Sequence, residues 1–384
     1  MKKIMPEEKR IILFIIGAFV VSRMIIYWVC HSLTGEIAPA QIIKSLSVFD
    51  SEWYGYYVDL FYTNEFVGMR PNGMAPWAFF PLYPLLVNIC HRLMGGMVAV
   101  NTVGAILSSI LFMLAEFWAY KYIMYTRNDK KVAYTFIIFM SFGAYSFYFS
   151  ILYTESLFLL LLVLCFYHMV KGNYLRMGLF GALLSATRNA GVFFVFVILV
   201  YQIMKYLESH KDKFYRLFIG FLKYVFAQER LVLGTFMVPS GLFAYMLYLH
   251  FKLGDGFAFV HVQYAWGREN VGVFKNLYDA VVKQFPADYL GLVLLFFLAV
   301  LIYSFFVSKN YYELVYPLII IYLGASSRLL SIPRFMVGAF IPVLCFSEHF
   351  SKLNKCARII ILCMVCVFEM ILVREWIHWN GYLC

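Results

Sequence analysis

Long apolar segments recur along almost the whole chain, and they limit the fold more than any other feature. The first runs from Ile11 to Cys30 and the last ends near Val373. A transmembrane helix needs about 20 mainly apolar residues. Only 14% of the 384 residues are charged, against about 25% in soluble domains. A soluble globular protein is therefore excluded, and the sequence predicts an all-α polytopic membrane protein built as a single domain over residues 1–384.

The order and flanking charges of these segments predict about eleven transmembrane helices, with the N-terminus in the cytoplasm. Basic residues precede the first span, and cytoplasmic segments of membrane proteins carry an excess of Lys and Arg. The first span is expected to be a retained signal anchor. The predicted spans cover residues 11–30, 97–120, 132–150, 155–170, 175–188, 189–206, 231–250, 289–307, 311–326, 334–350 and 358–374.

Two long segments are predicted to lie on the outer side of the membrane. The first covers residues 31–96 and includes Trp77–Met94, which is long enough to span but carries two prolines, a histidine and an arginine. Counting it as a span would turn the basic segment 121–131 outward, against the charge bias. It is therefore predicted to be a re-entrant or interfacial helix. The second outer loop covers residues 251–288.

The first outer loop contains two carboxylates beside aromatic residues, in the segment Phe49–Tyr54. Asp50 is the first candidate for a general base, because a carboxylate shielded by membrane and aromatic groups can accept the proton of an attacking hydroxyl. The local sequence suits helix capping by Asp50 or Ser51 equally well, with Glu52 in the first turn. The two interpretations are compatible, and Trp53 is a candidate substrate contact beside them.

A second carboxylate and an unusual arginine follow in later outward turns. Thr154 and Glu155 open an apolar run, and from local sequence alone helix capping is favoured over a functional role there. Arg188 lies where two short apolar spans meet, and an arginine in that position needs an anionic partner. That partner is either a carboxylate such as Glu155 or a ligand phosphate, which a guanidinium binds through two hydrogen bonds.

One short stretch of the second outer loop combines the residue types that bind sugars. His261, Gln263, Trp266 and Arg268 lie within eight residues. Aromatic planes contact the apolar faces of sugar rings, and amides and charges bind the hydroxyls. The alternative is an interfacial aromatic belt with an arginine that extends to the membrane surface.

Three further arginines have positions that call for a partner. Arg328 and Arg334 lie in the last outer connection, where positive charge is less expected, and this favours phosphate binding. Arg23 lies inside the first span. An intramembrane arginine is functional by default, and the alternative is that it pairs with an outer-loop carboxylate and fixes the fold.

Six short motifs in order along the chain carry a resemblance to a known family. The motifs are Phe49–Tyr54, Ala78–Leu85, Tyr153–Phe158, Ala186–Gly191, Gln263–Arg268 and Ser331–Phe335. On these motifs the sequence resembles the PIG-V family, of the GPI mannosyltransferase 2 type, and in particular its shorter bacterial members.

The resemblance implies a fold, a reaction and roles for these residues. The fold is that of a GT-C glycosyltransferase, a multi-span enzyme that uses a polyprenyl-phosphate-linked sugar on the outer side of the membrane. The sugar is a hexose, mannose as the first candidate, and it is inverted on transfer to an acceptor hydroxyl. Asp50 becomes the catalytic base, with Glu52 as alternative or helper. Arg188, Arg268 and Arg334 become the phosphate-binding residues. Arg328 is added to them on the charge argument alone, and the candidate substrate contacts are Trp53, Tyr83, Glu155, His261, Gln263 and Trp266.

The same resemblance sets expectations for partners and cofactors. The expected partners are the lipid-linked donor, a membrane glycan or lipid acceptor and the bilayer, with no nucleic acid, in the plasma membrane of a bacterial cell. The chain is more compact than the eukaryotic enzymes, so a GPI acceptor is not expected. The outer loops contain no DxD metal motif, the nearest pattern being Asp50-Ser51-Glu52. No cofactor or metal is expected, although a divalent cation is left open.

Two other classes of protein compete with this interpretation. A transporter or lipid flippase would place polar groups near mid-bilayer on broken helices, with an internal inverted repeat. Here the polar groups cluster at one end, and no repeat is evident. A non-catalytic subunit that supports a synthase is the third alternative.

Overall fold

The structure of the chain is a computed structural model that describes residues 6–60, 73–209, 214–268, 272–282, 287–327 and 329–383. Within these ranges every regular element is an α-helix or a short 3₁₀ helix. The prediction of an all-α protein is therefore confirmed for the described part of the chain.

The α-helices are numbered here in chain order. They are α1 Pro6–Thr34, α2 Pro39–Leu46, α3 Asp50–Leu60, α4 Leu82–Leu93, α5 Val100–Thr126, α6 Lys130–Phe142, α7 Glu155–Val170, α8 Tyr174–Thr187, α9 Phe194–Ser209, α10 Phe214–Phe226, α11 Glu229–Met237, α12 Ser240–Leu253, α13 Ala258–His261, α14 Val273–Val282, α15 Ala287–Val307, α16 Tyr311–Ser327, α17 Ile332–Gly338, α18 Ile341–Phe350 and α19 Lys355–Ile377. The 3₁₀ helices are Pro76–Ala78, Ser146–Ser150, Asn189–Phe193, Val262–Trp266, Leu329–Ser331 and Gly381–Leu383.

Several helix ends follow from local side-chain chemistry. The Asp129 carboxylate accepts hydrogen bonds from the backbone N–H groups of Lys131 and Val132, and so caps the start of α6. The Asn354 side chain accepts from the N–H of Ala357 at the start of α19. Helix α12 ends at Gly254, whose φ of 75° is a left-handed conformation that glycine adopts without steric cost.

Six helices among the described residues are long and apolar enough to cross a membrane. A seventh candidate is the pair Leu329–Gly338 and Ile341–Phe350, which is bent by 66°. The protein is therefore a multi-pass membrane protein. The six helices are Pro6–Thr34, Val100–Thr126, Asn189–Ser209, Glu229–Leu253, Asp288–Val307 and Lys355–Ile377.

The predicted count of eleven spans is not confirmed, because several predicted spans form helices shorter than the hydrocarbon core. Helix α7 has 16 residues, which at about 1.5 Å per residue is about 24 Å, against a hydrocarbon core of about 30 Å. Helix α6 stops at Phe142, before an extended Gly143 and a left-handed Tyr145. Helix α4 has 12 residues, so Trp77–Met94 contains no spanning helix, and its predicted position at the interface stays a prediction.

The described residues within 1–63, 83–163 and 333–384 form one compact unit, called the first unit below. Helix α1 packs on α5, α6 and α19. The rings of Phe112 and Phe149 stack at 4.6 Å between centroids, and Gly104 lets α5 approach the side chain of Leu152 closely. The segment that follows α6 is thereby packed against α5.

The described residues within 64–82 and 164–332 form the second unit. Helices α8 and α11 pack closely in this unit, because Gly178 faces the backbone of Gly234 with no room for a Cβ atom. Gly241 of α12 meets the backbone of α8 in the same way. Small residues at such contacts allow helix backbones to approach closely, which is a common means of association in membranes.

We expect Gly178→Ala to lower the thermal unfolding midpoint of the purified protein, because the added Cβ would overlap the backbone of Gly234 and force α8 and α11 apart. Overpacking of this kind costs about 1–3 kcal/mol. Gly17→Ala is the matched control, since a Cβ at that helical glycine meets nothing within 4 Å. Equal midpoints for the two variants would contradict the close packing.

Candidate functional site

The candidate site lies in the first unit and consists of one arginine between two carboxylates. Arg334 Nη1 donates a hydrogen bond to Asp50 Oδ2 at 2.9 Å, and Arg334 Nε forms an ion pair with Glu155 Oε1 at 3.2 Å. The side chains of Arg334 and Glu155 are 5% and 1% exposed, whereas that of Asp50 is 16% exposed. Asp50 therefore has the most exposed side chain of the three residues.

Aromatic rings surround the Arg334 guanidinium and complete its environment. Its carbon lies 5.2 Å from the ring centroid of Tyr153 and 5.8 Å from that of Tyr148. A cation over an aromatic face is stabilised by the ring quadrupole. Two carboxylates and two tyrosine rings together compensate the loss of water around a buried guanidinium, which is costly without partners.

The backbone around Asp50 is held in an unusual conformation. Phe49 has a φ of 56°, in the left-handed region that a bulky residue rarely adopts. The Asp50 N–H donates to the Tyr153 hydroxyl at 3.0 Å, and the Ser51 hydroxyl donates to the Leu152 carbonyl at 3.3 Å. Such a conformation costs about 1–3 kcal/mol and persists only where surrounding contacts impose it. Here those contacts fix Asp50 at the start of α3.

Glu155 is the first residue of α7, and its carboxylate is turned to Arg334. The next residue, Ser156, donates its hydroxyl to the Phe149 carbonyl at 2.9 Å, which ties the start of α7 to the preceding turn. A carboxylate is favourable at a helix N-terminus. The sequence favoured a local capping role at this turn, and the structure adds a tertiary ion pair.

The other predicted residues of the first unit lie around this group. Glu52 is exposed on α3, while Trp53 on the same helix is buried. Tyr83 is fully buried, and its hydroxyl is hydrogen-bonded to Ser108 Oγ at 2.7 Å. The ring of Tyr83 packs edge-on against that of Tyr54. Substrate contact by Trp53 and Tyr83 stays a prediction.

Arg188 belongs to the second unit, where the chain breaks between two helices as the sequence predicted. It adopts an extended conformation after α8 ends at Thr187, and a 3₁₀ turn follows from Asn189. The Tyr316 hydroxyl donates to the Ala190 carbonyl at 3.1 Å and fixes that turn. The sequence predicts a carboxylate such as Glu155 or a ligand phosphate as the partner of Arg188. In the structure Glu155 forms an ion pair with Arg334.

The segment predicted to be the second outer loop has its described polar residues in the second unit. His261 Nδ1 lies 2.7 Å from Asp255 Oδ2, and this hydrogen bond lowers the pKa of the Asp255 carboxyl below its usual range. Gln263 donates to the Phe259 carbonyl at 3.3 Å, and the Trp266 ring packs edge-on against Phe79. The loop therefore has a folded arrangement of its own.

Two predicted arginines have no role that the structure tests. Arg268 is exposed directly after the turn at Gly267. Arg328 lies outside the described residues. Their predicted binding of phosphate stays a prediction.

Sequence reasoning missed several residues that the structure places in contact with predicted site residues. Tyr148 lies in a run of aromatic and small residues with no pattern that distinguishes it. Asp255 is six residues from its partner His261, and only the structure shows that a turn brings the two side chains together. Tyr153 lies in the motif Tyr153–Phe158, but its contacts with Asp50 and Arg334 were not predicted.

A metal site was not expected, and the structure provides no test of that expectation. Among the described residues, no three His, Cys, Asp or Glu side chains are grouped so that they could hold a metal ion. Metal-independent activity accordingly stays a prediction.

No protein-family model matches this sequence, and no curated protein matches it. The chain is similar to the crystal structure of the apo oligosaccharyltransferase of Archaeoglobus fulgidus, with 13% identity and a TM-score of 0.49, over 96% of this chain and 55% of that one. It is also similar to the archaeal oligosaccharyltransferase AglB from Archaeoglobus fulgidus in complex with an inhibitory peptide and a dolichol-phosphate. That match has 12% identity and a TM-score of 0.47, over 86% of this chain and 52% of the other. The chain thus spans about half the length of these structures, and the PIG-V resemblance is not confirmed.

We expect Arg334→Leu to destabilise the protein strongly, because it leaves the buried Glu155 carboxylate and the partly exposed Asp50 carboxylate without the guanidinium between them. Breaking a buried pair by removing one partner costs about 3–5 kcal/mol. Arg268→Leu removes an exposed arginine and serves as the control. The thermal unfolding midpoint in detergent should fall clearly for the first variant and little for the second. A midpoint for Arg334→Leu equal to that of wild type would refute the inferred role of the pair.

Proposed function

We propose that the protein is an inverting GT-C glycosyltransferase that transfers a hexose, mannose as the first candidate, from a polyprenyl-phosphate donor to an acceptor hydroxyl. The observation that carries the proposal is the pairing of Asp50 and Glu155 with Arg334. Each of the three residues lies in one of the six motifs that resemble the PIG-V family. A multi-pass membrane protein with a partly exposed carboxylate held in place is suited to this chemistry.

Asp50 is the general base in the proposed reaction. It takes the proton of the acceptor hydroxyl while the acceptor oxygen forms a bond to the anomeric carbon of the donor sugar. The bond from that carbon to the phosphate oxygen breaks, and polyprenyl phosphate leaves with the electron pair. One displacement inverts the anomeric configuration. The partial exposure of Asp50, against the burial of Glu155, favours Asp50 as the group that meets the acceptor.

Arg334 has two successive roles in this proposal. Before reaction it holds the Asp50 carboxylate, with Glu155 fixing the other side of the guanidinium. Once Asp50 has taken the proton, its negative charge is lost and its ion pair with Arg334 weakens. The guanidinium is then available to stabilise charge that develops on the departing phosphate, which is where fixed positive charge assists most. Arg188, Arg268 and Arg328 are the further phosphate-binding residues.

The second outer loop supplies the proposed sugar contacts of the second unit. Trp266 offers an aromatic face, and Gln263 and His261 offer polar groups for hydroxyls. The Asp255 carboxylate adds an acceptor beside His261. The proposed acceptor is a membrane glycan or lipid, on the outer side of a bacterial plasma membrane.

The direct test uses purified protein in lipid nanodiscs with radiolabelled polyprenyl-phosphate mannose and a membrane-lipid extract, and measures label transfer and slow donor hydrolysis. We expect Asp50→Asn to lower the transfer rate by about 10²–10⁴-fold, the usual contribution of a positioned base. Polyprenyl-phosphate glucose is run in parallel to decide the sugar.

Glu52→Gln is the matched control, because Glu52 is a carboxylate on the same helix with an exposed side chain. It should retain most of the wild-type rate. A severe loss in Glu52→Gln with an active Asp50→Asn would move the base to Glu52. Donor movement across the bilayer of sealed vesicles that contain the protein, without any sugar transfer, would contradict the enzyme and support a flippase.

A further inference from the structure

The long C-terminal helix α19 places one carboxylate against the segment that leads into the candidate site. Glu369 Oε2 accepts a hydrogen bond from the Tyr145 N–H at 2.6 Å. Glu369 Oε1 accepts from the Phe147 N–H at 2.8 Å and from the Ser146 hydroxyl at 3.0 Å. Three donors on consecutive residues therefore converge on a single buried carboxylate.

These hydrogen bonds stabilise a strained turn. Tyr145 has a φ of 70°, a left-handed conformation that is uncommon for a residue with a side chain, and it directly precedes the 3₁₀ helix Ser146–Ser150. The first N–H groups of a helix have no partner within the helix. Tyr145 and Phe147 are buried away from water, so Glu369 acts as the cap that the turn requires.

The same segment supplies three residues that contact Arg334 in the candidate site. Tyr148 lies within the 3₁₀ helix, and Tyr153 and Glu155 follow it within a few residues. Both tyrosine rings contact the Arg334 guanidinium, and Glu155 pairs with it. A change in the register of the turn at Tyr145 would thus move three groups that hold Arg334.

Helix α19 contacts the Asp50 side of the site as well. The indole N–H of Trp376, two turns after Glu369, donates to the Leu46 carbonyl at 2.9 Å. The Trp376 ring lies 4.9 Å from that of Phe49, the strained residue before Asp50, and 5.2 Å from that of Tyr148. One helix therefore contacts both segments that supply the carboxylates.

Arg23 of α1, the arginine that the sequence places inside the first span, also contacts this turn. Its Nη1 donates to the Ser146 hydroxyl at 3.1 Å, and its guanidinium lies 5.0 Å from the ring of Phe19 and 5.5 Å from that of Phe112. The Ser146 hydroxyl thus lies between Arg23 and Glu369. A positive charge on this side offsets part of the cost of burying the Glu369 carboxylate.

We propose that Glu369 is a positioning residue for sugar transfer. It holds the segment from Tyr145 to Glu155 in the register that keeps Arg334 on Asp50, without touching the reacting groups. The proposal rests on the proposed function, because its consequence for rate requires that Asp50 be the base.

The test compares Glu369→Gln with Glu116→Gln. The first change turns one of the two oxygens into an NH₂ group, which then faces a donor of the turn. Glu116 is the matched control, because it is a buried carboxylate of the same unit that accepts a hydrogen bond from the Ser141 hydroxyl at 2.8 Å. Both glutamates interact electrostatically with Arg23, so each variant replaces one buried carboxyl group near that arginine.

We expect Glu369→Gln to lower kcat by about 10- to 100-fold, because a shift of about 1 Å in a reacting geometry costs up to about 100-fold. The KM for the polyprenyl-phosphate donor should change less than about twofold, since no donor contact is removed. Glu116→Gln should retain kcat within about threefold. Equal losses of kcat in the two variants, in step with equal losses of thermal stability, would show a structural effect only and overturn the proposal.

Hydrogen exchange measured by mass spectrometry separates this proposal from the proposed function. Glu369→Gln should raise exchange in peptides covering 145–155, and Glu116→Gln should not. Unchanged exchange in those peptides, or raised exchange with unchanged kcat, would overturn the positioning role. If wild-type protein transfers no sugar, the proposed function fails, and the exchange result alone decides whether Glu369 holds the segment.

Discussion

Burial of the Arg334 charge is the constraint on which the candidate site depends. A guanidinium removed from water costs several kcal/mol unless its charge is compensated and its N–H groups have partners. Here Asp50 and Glu155 supply the compensation, and tyrosine rings cover the remaining faces. Because the three charged residues come from distant parts of the sequence, the fold must bring α3, the start of α7 and α17 together for the arginine to be tolerated.

The contacts that satisfy this charge also fix the geometry of the proposed base. Two strained residues, Phe49 and Tyr145, lie just before the segments that carry Asp50 and Glu155. Strain of this kind persists only where surrounding contacts impose it, and it clusters at functional sites. Around Phe49 those contacts are the rings of Trp376 and Trp379, and around Tyr145 they are hydrogen bonds to Glu369. Stability and positioning of the site therefore depend on the same residues.

The sequence predicted the helices and residues of this site better than the contacts between those residues. Apolar runs located the helices, and the break at Arg188 came where a charged residue separates two such runs. The length of α6 was overestimated, since composition alone does not show that this helix stops at Phe142 while apolar residues continue. Asp50, Glu155 and Arg334 were each singled out by residue type. Their mutual pairing and the role of Glu369 were not predicted, because contacts between residues so distant in sequence leave no local pattern.

In the proposed reaction Asp50 acts as a base in a single displacement and not as a nucleophile. The anomeric configuration of the transferred sugar tests it most directly, since a single displacement inverts the donor linkage and a covalent glycosyl-enzyme intermediate retains it. The measurement digests the radiolabelled product with α- and β-specific glycosidases, alongside the donor of known configuration. With Asp50 as the base, we expect a product linkage opposite to that of the donor. A product with the same linkage as the donor would contradict it.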